Sequence, residues 1–283
     1  MSLRKIYIVV GPTASGKSAL SLQIAHAVHG TIINADSMQI YRDLQILSAR
    51  PTASEMDGIE HKLYGYVDAY THNNVQDWVN QAVKVLNETP HPVLVGGTGM
   101  YVQALVHGLS VIPDVDVSVR QRVRAMPIEE VKSLVQDCSA IDSQRLRRAL
   151  EVQLTTGKPL SYFQKQPPRK LIDADFHILF VNPDRDVLYQ RCNNRLIHMI
   201  ETGAIEEVQH LLNIQATGGV TKAIGVPEIT AYLKQEITFD EMIQKAQTAT
   251  RHYAKRQVTW FRHQLVCQEE INRPDKYVFN LTI

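Results

Sequence analysis

Gly11-Pro12-Thr13-Ala14-Ser15-Gly16-Lys17-Ser18 fills every fixed position of the pattern G-x-x-x-x-G-K-[ST]. A loop of this kind turns backbone N–H groups toward an anion, its lysine reaches the terminal phosphate, and the hydroxyl of Ser18 would help hold Mg²⁺. The second candidate is Asp36, in "NADSMQIY", the strand-end carboxylate near the loop in sequence. It could help position Mg²⁺, as in a kinase, act as a general base toward an attacking nucleophile, or simply cap the following turn. A nucleotide triphosphatase usually has a hydrophobic strand ending in Asp, whereas the best mid-sheet strand here, "PVLVGG", ends in glycines. The loop is therefore a strong signal for phosphate and a weak one for chemistry. The 11 histidines are scattered without metal-ligand spacing, so none is assigned to a metal. Glu206-Glu207 reads as a solvated helix face.

The elements that must position these groups follow from periodicity. Ile6 to Val10 is a β-branched and aromatic run that reads as a buried strand. Ala19, Leu20, Leu22, Ile24 and Ala25 continue at helical spacing, so the loop joins a strand to a helix N-terminus, whose dipole favours an anion. Thr31 to Ala35 gives a second strand, ending at Asp36-Ser37, with polar chain after it. Val75, Trp78, Val79, Ala82, Val83 and Leu86 mark an amphipathic helix, and Val93 to Val95 a strand that ends in a glycine turn. Strands alternating with helices imply an α/β fold: a parallel sheet flanked by helices and opened by a phosphate loop. Between residues 109 and 170 no strand is expected. That stretch reads as a helical insertion, hinged near Pro113 and Pro167-Pro168, in a discontinuous core of residues 1–108 and 171–283. Sheet character returns at Phe176 to Asp184, a helix follows on positions 188, 192, 196, 199 and 200, and the rest looks mainly helical.

Composition sets the frame. With 283 residues, 44% hydrophobic and 21% charged, the chain has the profile of an ordinary globular protein large enough for a domain plus an insertion. Cys138, Cys192 and Cys267 form no C-x-x-C pair, which argues against a zinc site or disulfide framework and fits a reducing cytoplasm. The apolar stretch after Arg4-Lys5 is only a strand's length and is not expected to be a signal peptide, and no segment is expected to span a membrane.

Lys and Arg (30) nearly balance Asp and Glu (29), but the basic residues cluster. Arg120, Arg122 and Arg124 form one group, Arg145, Arg147 and Arg148 another. Lys245, Arg251, Lys255, Arg256 and Arg262 form a third, interleaved with Tyr253, Trp260 and Phe261. Each alone can be a solvated helix face; three of them around a phosphate site also suit a nucleic-acid groove.

Several stretches in order, "GPTASGKS", "NADSMQIYRDL", "VGGTGMY", "DSQRLRRALEV", "TGKPLS" and "TRHYAKRQVTWFR", resemble the bacterial tRNA dimethylallyltransferases, also called tRNA isopentenyltransferases. The resemblance runs from about residue 6 to residue 263. It implies transfer of a dimethylallyl group from dimethylallyl diphosphate to N6 of the adenosine 3′ of the anticodon, with Mg²⁺ present and diphosphate leaving. The loop, Gly11 to Ser18, would then cradle a leaving group, with no phosphoryl group moving. Carried over residue by residue, Thr13 would hydrogen-bond the bridging oxygen, Lys17 would stabilise the departing charge and Asp36 would take the N6 proton. Ser37, Met38 and Gln39 would lie beside the target base. Thr98 and Arg120 match tRNA-contacting positions, and Gln144, Arg145, Leu146, Arg147 and Arg148 match another such segment on the insertion. The insertion would clamp the anticodon stem-loop from one side while the adenine flips into a channel. The expected state is a cytoplasmic monomer. The chain departs from the family pattern at "LSARPT", with Arg50 where a lysine is usual, at "IEHKLYGYVD", which keeps only His61, at Val226-Pro227, and in a short stretch between Arg120 and Asp142.

Three rivals explain parts of the chain. A P-loop kinase of a small metabolite or nucleoside accounts for the loop, Asp36 and "NPDRDVLYQRCNNR", whose arginines resemble a kinase lid, and leaves "AKRQVTWFR" and the arginine-rich insertion unexplained. An adenylate isopentenyltransferase shares the donor chemistry but not the tRNA-type segments. An RNA-binding protein without catalysis leaves Thr13 and Asp36 idle.

Overall fold

The apolar run ahead of the loop forms β1 (Lys5–Val10), buried along nearly its whole length, and the loop opens α1 (Lys17–Val28). The structure is a computed structural model that describes residues 3–136 and 142–279. Five further strands complete one sheet: β2 (Thr31–Asn34), β3 (His61–Lys62), β4 (Pro92–Gly96), β5 (Asp175–Val181) and β6 (Glu269–Ile271). Their order is β3-β2-β4-β1-β5-β6, and every named pairing is parallel. Strand β1 lies between β4 (Val9 opposite Val95) and β5 (Ile8 opposite Ile178). With both faces covered, the central strands read as unbroken apolar runs rather than alternating ones. In a sheet of this kind ligands bind beyond the carboxyl ends of the strands. The phosphate loop follows β1 there, Asp36 follows β2 and the glycine turn follows β4.

Helix α2 (Val75–Glu88) begins where the Asn74 side chain accepts from the Gln76 and Asp77 N–H groups and Asp77 accepts from the Asn74 N–H in return. Its buried face carries Trp78, Val79, Ala82 and Leu86. Helix α3 (Gly99–His107) leaves the glycine turn. After β5 come α8 (Arg185–Glu201), α9 (Ala204–Asn213), α10 (Val226–Leu233) and the long α11 (Phe239–Gln264). Thr238 and Glu241 cap α11 reciprocally, and Ala254, Gln257 and Phe261 lie on its buried face.

The chain divides into two compact units. One holds the described residues up to Val106 and from Ile172 on; the other runs from His107 to Leu171. The second is helical: α4 (Val117–Ala125), α5 (Ile128–Leu134), α6 (Ser143–Thr156) and α7 (Leu160–Gln164). Its core is Val123, Val131, Leu146 and Leu150, and an antiparallel bridge between Leu109 and Arg169 ties its two ends. Cys192 is buried and Cys267 half-buried, both as free thiols, while Cys138 lies outside the described residues. Among the described residues no helix is long and apolar enough to cross a membrane.

Two short strands were not anticipated, and one expectation needed correction. The polar chain after Asp36 contains β3, and the mainly helical tail contains β6. Glu207 is not a solvated residue: its carboxylate accepts from the N–H groups of Gln45, Ile46 and Leu47 at 2.5, 2.7 and 2.9 Å. A carboxylate can satisfy several amides at once, so Glu207 shapes a loop some 160 residues away in sequence.

Candidate active site

The loop has the backbone an anion cradle needs. Gly16 sits at φ 95°, a region favourable only to glycine, and Ala14 at φ 62°. The Ser15 N–H donates to the Pro12 carbonyl at 3.2 Å, which closes the turn. The Ser15 hydroxyl is fully buried and has no partner. Ser18 stands exposed in the first turn of α1.

Burial pushes the Lys17 ammonium down to about 8, with Asp36 opposing the drop and Arg195 adding to it. The ammonium donates only a 3.3 Å bond to the Pro12 carbonyl. A desolvated cation beside the loop is one that an anion would complete. Arg195, on α8, donates from Nη2 to the Thr13 hydroxyl, and burial depresses its pKa too. Arg191, one turn earlier, lies 3.5 Å from the Ser15 carbonyl.

Asp36 is held from below. Asn34 is fully buried; its side chain accepts from the Asp36 N–H at 2.9 Å and donates to the Asp36 and Leu63 carbonyls at 3.0 Å. The buried Trp78 indole donates to the Asn34 carbonyl at 3.0 Å and stacks on Tyr101 with centroids 4.4 Å apart. The half-buried Asp36 carboxylate accepts from the Met38 N–H at 2.9 Å. It also helps raise the pKa values of Tyr64 and Tyr253, after the larger effect of burial.

Thr98 accepts from the Ser37 N–H at 2.9 Å and donates to the Ser37 hydroxyl at 3.1 Å, so the β2 and β4 ends are stitched together. The Gln39 amide donates to the Ser48 and Ala49 carbonyls at 3.1 and 2.8 Å, which fixes the loop that Glu207 caps. On α11, Lys255, Arg256, His252, His263 and Trp260 line a groove of about 550 Å³.

In the helical unit the RNA-type segment is split by the helix period. Gln144 and Arg145 are exposed on α6, and Arg148 is half-buried 3.8 Å from Glu151. Leu146 is instead in the unit's core, and the Arg147 guanidinium donates to the Val123 and Met126 carbonyls, capping the end of α4. Both are turned inward, so the structure gives their side chains a packing role. Arg120 lies half-buried on α4. Removing the Arg147 guanidinium takes one of two partners from the Val123 carbonyl, which keeps the Met126 N–H, and leaves the Met126 carbonyl without its donor, at about 1–3 kcal/mol. Arg147→Ala is therefore expected to lower the melting temperature of the protein with little change in the salt dependence of RNA binding; calorimetry and a salt titration check this.

Among the described residues no group of three His, Cys, Asp or Glu side chains could hold a metal ion. The oxygens at hand are the exposed Ser18 hydroxyl and the Asp36 carboxylate. That set lacks a preformed cage and fits a hard cation that arrives with water and diphosphate oxygens.

Thr13, Lys17, Arg195, Asp36 and Gln257 come from four separate parts of the chain and share the carboxyl end of one parallel sheet. A cradle for a phosphorylated donor beside a carboxylate, with glycines where β4 would otherwise offer an acid, defines a transferase of the P-loop α/β class. The family model described as IPP transferase matches residues 39–264, and the chain belongs to that family. A tRNA dimethylallyltransferase of Sphingopyxis alaskensis is 41% identical over 91% of this chain and 89% of its own. A full-length tRNA isopentenylpyrophosphate transferase of Bacillus halodurans superposes with TM-score 0.72 at 32% identity, over 95% and 90% of the two chains. A eukaryotic dimethylallyltransferase acting on tRNA gives 0.83 at 25% identity, over 98% of this chain and 76% of that one.

In the sequence Arg195 draws attention only among the arginines of "NPDRDVLYQRCNNR", which resemble a kinase lid, and Gln257 not at all, although it lies inside a basic stretch that draws attention for charge.

Proposed function

We infer that this protein transfers the dimethylallyl group of dimethylallyl diphosphate to N6 of the adenosine 3′ of the anticodon in tRNA and releases diphosphate. The observation that carries the reading is Thr13, whose hydroxyl accepts from Arg195. That leaves its own proton to donate to the donor's bridging oxygen. The C–O bond to that oxygen breaks as the N6–C bond forms, and negative charge develops beside Thr13, Lys17 and the loop amides. Asp36 takes the N6 proton. Ser18 would hold Mg²⁺, which supplies Lewis-acid stabilisation of the diphosphate.

The acceptor adenosine must leave its stack to reach this end of the sheet, with Ser37, Met38 and Gln39 beside it. Thr98 acts from behind by holding Ser37. Gln144, Arg145, Arg148 and Arg120 contact the anticodon stem-loop, and the basic groove on α11 contributes backbone contacts. The protein acts as a monomer in the cytoplasm. Arg145→Ala is expected to weaken tRNA binding and reduce the slope of log K against log salt by about 1, sparing donor binding. An unchanged slope would remove Arg145 from the interface.

The test of the whole reading is a comparison of acceptors. The protein is incubated with Mg²⁺ and labelled dimethylallyl diphosphate plus unmodified tRNA or free AMP, and in parallel with ATP and a nucleoside. Label in tRNA alone is expected. Label in AMP alone would make this an adenylate prenyltransferase, and phosphate moving from ATP without prenylation would make it a kinase.

A further inference from the structure

Gln257 is 5% exposed, in the middle of α11, between Ala254 and Phe261 on the same buried face. A buried primary amide is costly unless its groups are paired, and an apolar side chain would fill this position as well. Its Oε1 accepts from the Thr13 N–H at 2.9 Å and its Nε2 donates to the Gly97 carbonyl at 2.8 Å. The orientation of the amide is fixed by chemistry, since a backbone N–H can only donate and a carbonyl can only accept. These partners lie 244 and 160 residues away in sequence, so no local structure duplicates the link.

The two anchored points belong to opposite sides of the proposed transfer. Thr13 is the residue before the left-handed Ala14 and carries the hydroxyl that Arg195 holds. Gly97 approaches so closely that a Cβ there would strike the Gln257 amide, and the same Cβ would stand 3.4 Å from Asp36 Oδ2. The next residue, Thr98, holds Ser37. One side chain thus spans the loop that would grip the donor and the turn that backs the base. We propose that Gln257 is a positioning residue that sets the spacing between the leaving-group site at Thr13 and the proton acceptor Asp36. It touches neither substrate. The proposal rests on the transferase reading above.

The spacing matters because attack on an allylic carbon needs the nucleophile and leaving group held on opposite sides of it, and a displacement of about 1 Å can cost about 10²-fold in rate. The decisive variant is Gln257→Glu, which keeps shape. Ionised, its second oxygen faces the Gly97 carbonyl without a proton to give. Protonated, it restores both bonds. Transfer rates of Gln257→Glu relative to wild type are therefore expected to rise as pH falls, in protein shown by circular dichroism to be folded at each pH. An ionised carboxylate in Gln257→Glu would also shift the titration of Asp36, Lys17, Arg195, Cys192 and Tyr253 around it, so Gln257→Leu, which adds no charge, is measured beside it at each pH. Gln257→Leu is expected to lose about 10²-fold in kcat, with Kd for dimethylallyl diphosphate and for tRNA near wild type. A ratio flat with pH, or wild-type kcat in folded Gln257→Leu, overturns the proposal. Should Gln257→Leu not fold, the ratio for Gln257→Glu decides alone. A wild-type protein that prenylates no tRNA would be recognised separately, since it defeats the transferase reading and this proposal with it.

Discussion

Asp36→Ala lowers the single-turnover rate of transfer by about 10²–10⁴-fold, the contribution of a positioned general base, and leaves tRNA affinity close to wild type. The expectation follows from how little of the fold depends on the carboxylate. Asn34 holds the Asp36 backbone through its N–H and its carbonyl, and Trp78 holds Asn34, so the strand end survives loss of the side chain. The one bond given up is that from the Met38 N–H. Asp36→Asn separates the remaining roles. An amide oxygen can still accept from Met38, and the amide can take no proton. A rate loss in Asp36→Asn as deep as in Asp36→Ala assigns the effect to proton transfer. A parallel fall in tRNA affinity would assign Asp36 to binding instead.

Lys17→Met is expected to lower transfer by about 10²–10³-fold, the scale for removing one donor aimed at developing negative charge. It carries a pH signature as well. Unfolded, the lysine keeps its proton up to its ordinary value of 10.5; folded and without ligand it loses it near 8. The unfolded chain therefore binds more protons between those values, and Lys17 contributes stability that grows as pH rises through that window. Below 8 the protein holds a poorly solvated charge. Ligand-free Lys17→Met should accordingly melt above wild type at pH 7, with the difference shrinking as pH rises past 8. Diphosphate binding runs the other way, since it needs the ammonium. Affinity for dimethylallyl diphosphate should fall by up to about tenfold per pH unit above 8 in wild type and stay flatter in Lys17→Met. Melting curves and calorimetric titration at several pH values read both effects. Equal pH slopes in the two proteins would detach Lys17 from the diphosphate.

The phosphate loop, the central strands and α2 could be read from sequence because their signals are local. β1, β2 and β4 are apolar runs, and the α2 apolar positions recur at three and four residues. The loop's glycines and lysine are contiguous. The short edge strands β3 and β6 carry no such signal; they are strands because β2 and β5 lie beside them. Glu207, Arg195 and Gln257 are of the same kind. Their partners are 160 to 244 residues away, and nothing in their own neighbourhoods distinguishes a carboxylate that caps a remote loop from one in water. Arg147 shows the converse failure. Three arginines in four residues of a helix suggested one basic face, but α6 turns Leu146 and Leu150 into the core and carries Arg147 toward the end of α4. Charge density could be counted from sequence, and its direction could not. The family resemblance supplied the reaction, and the fold brings Thr13 and Asp36, the residues proposed for it, to one end of the sheet.

The claim at the centre is that the loop binds a leaving group and that no phosphoryl group is transferred. The most direct test supplies the protein and Mg²⁺ with dimethylallyl diphosphate labelled with ¹⁴C in the prenyl chain and ³²P in the diphosphate, and with unmodified tRNA. The predicted result is ¹⁴C on N6 of the adenosine 3′ of the anticodon, ³²P released in equal amount as inorganic diphosphate, and no requirement for ATP. Phosphorus label appearing in the tRNA, or transfer that depends on ATP, would contradict it.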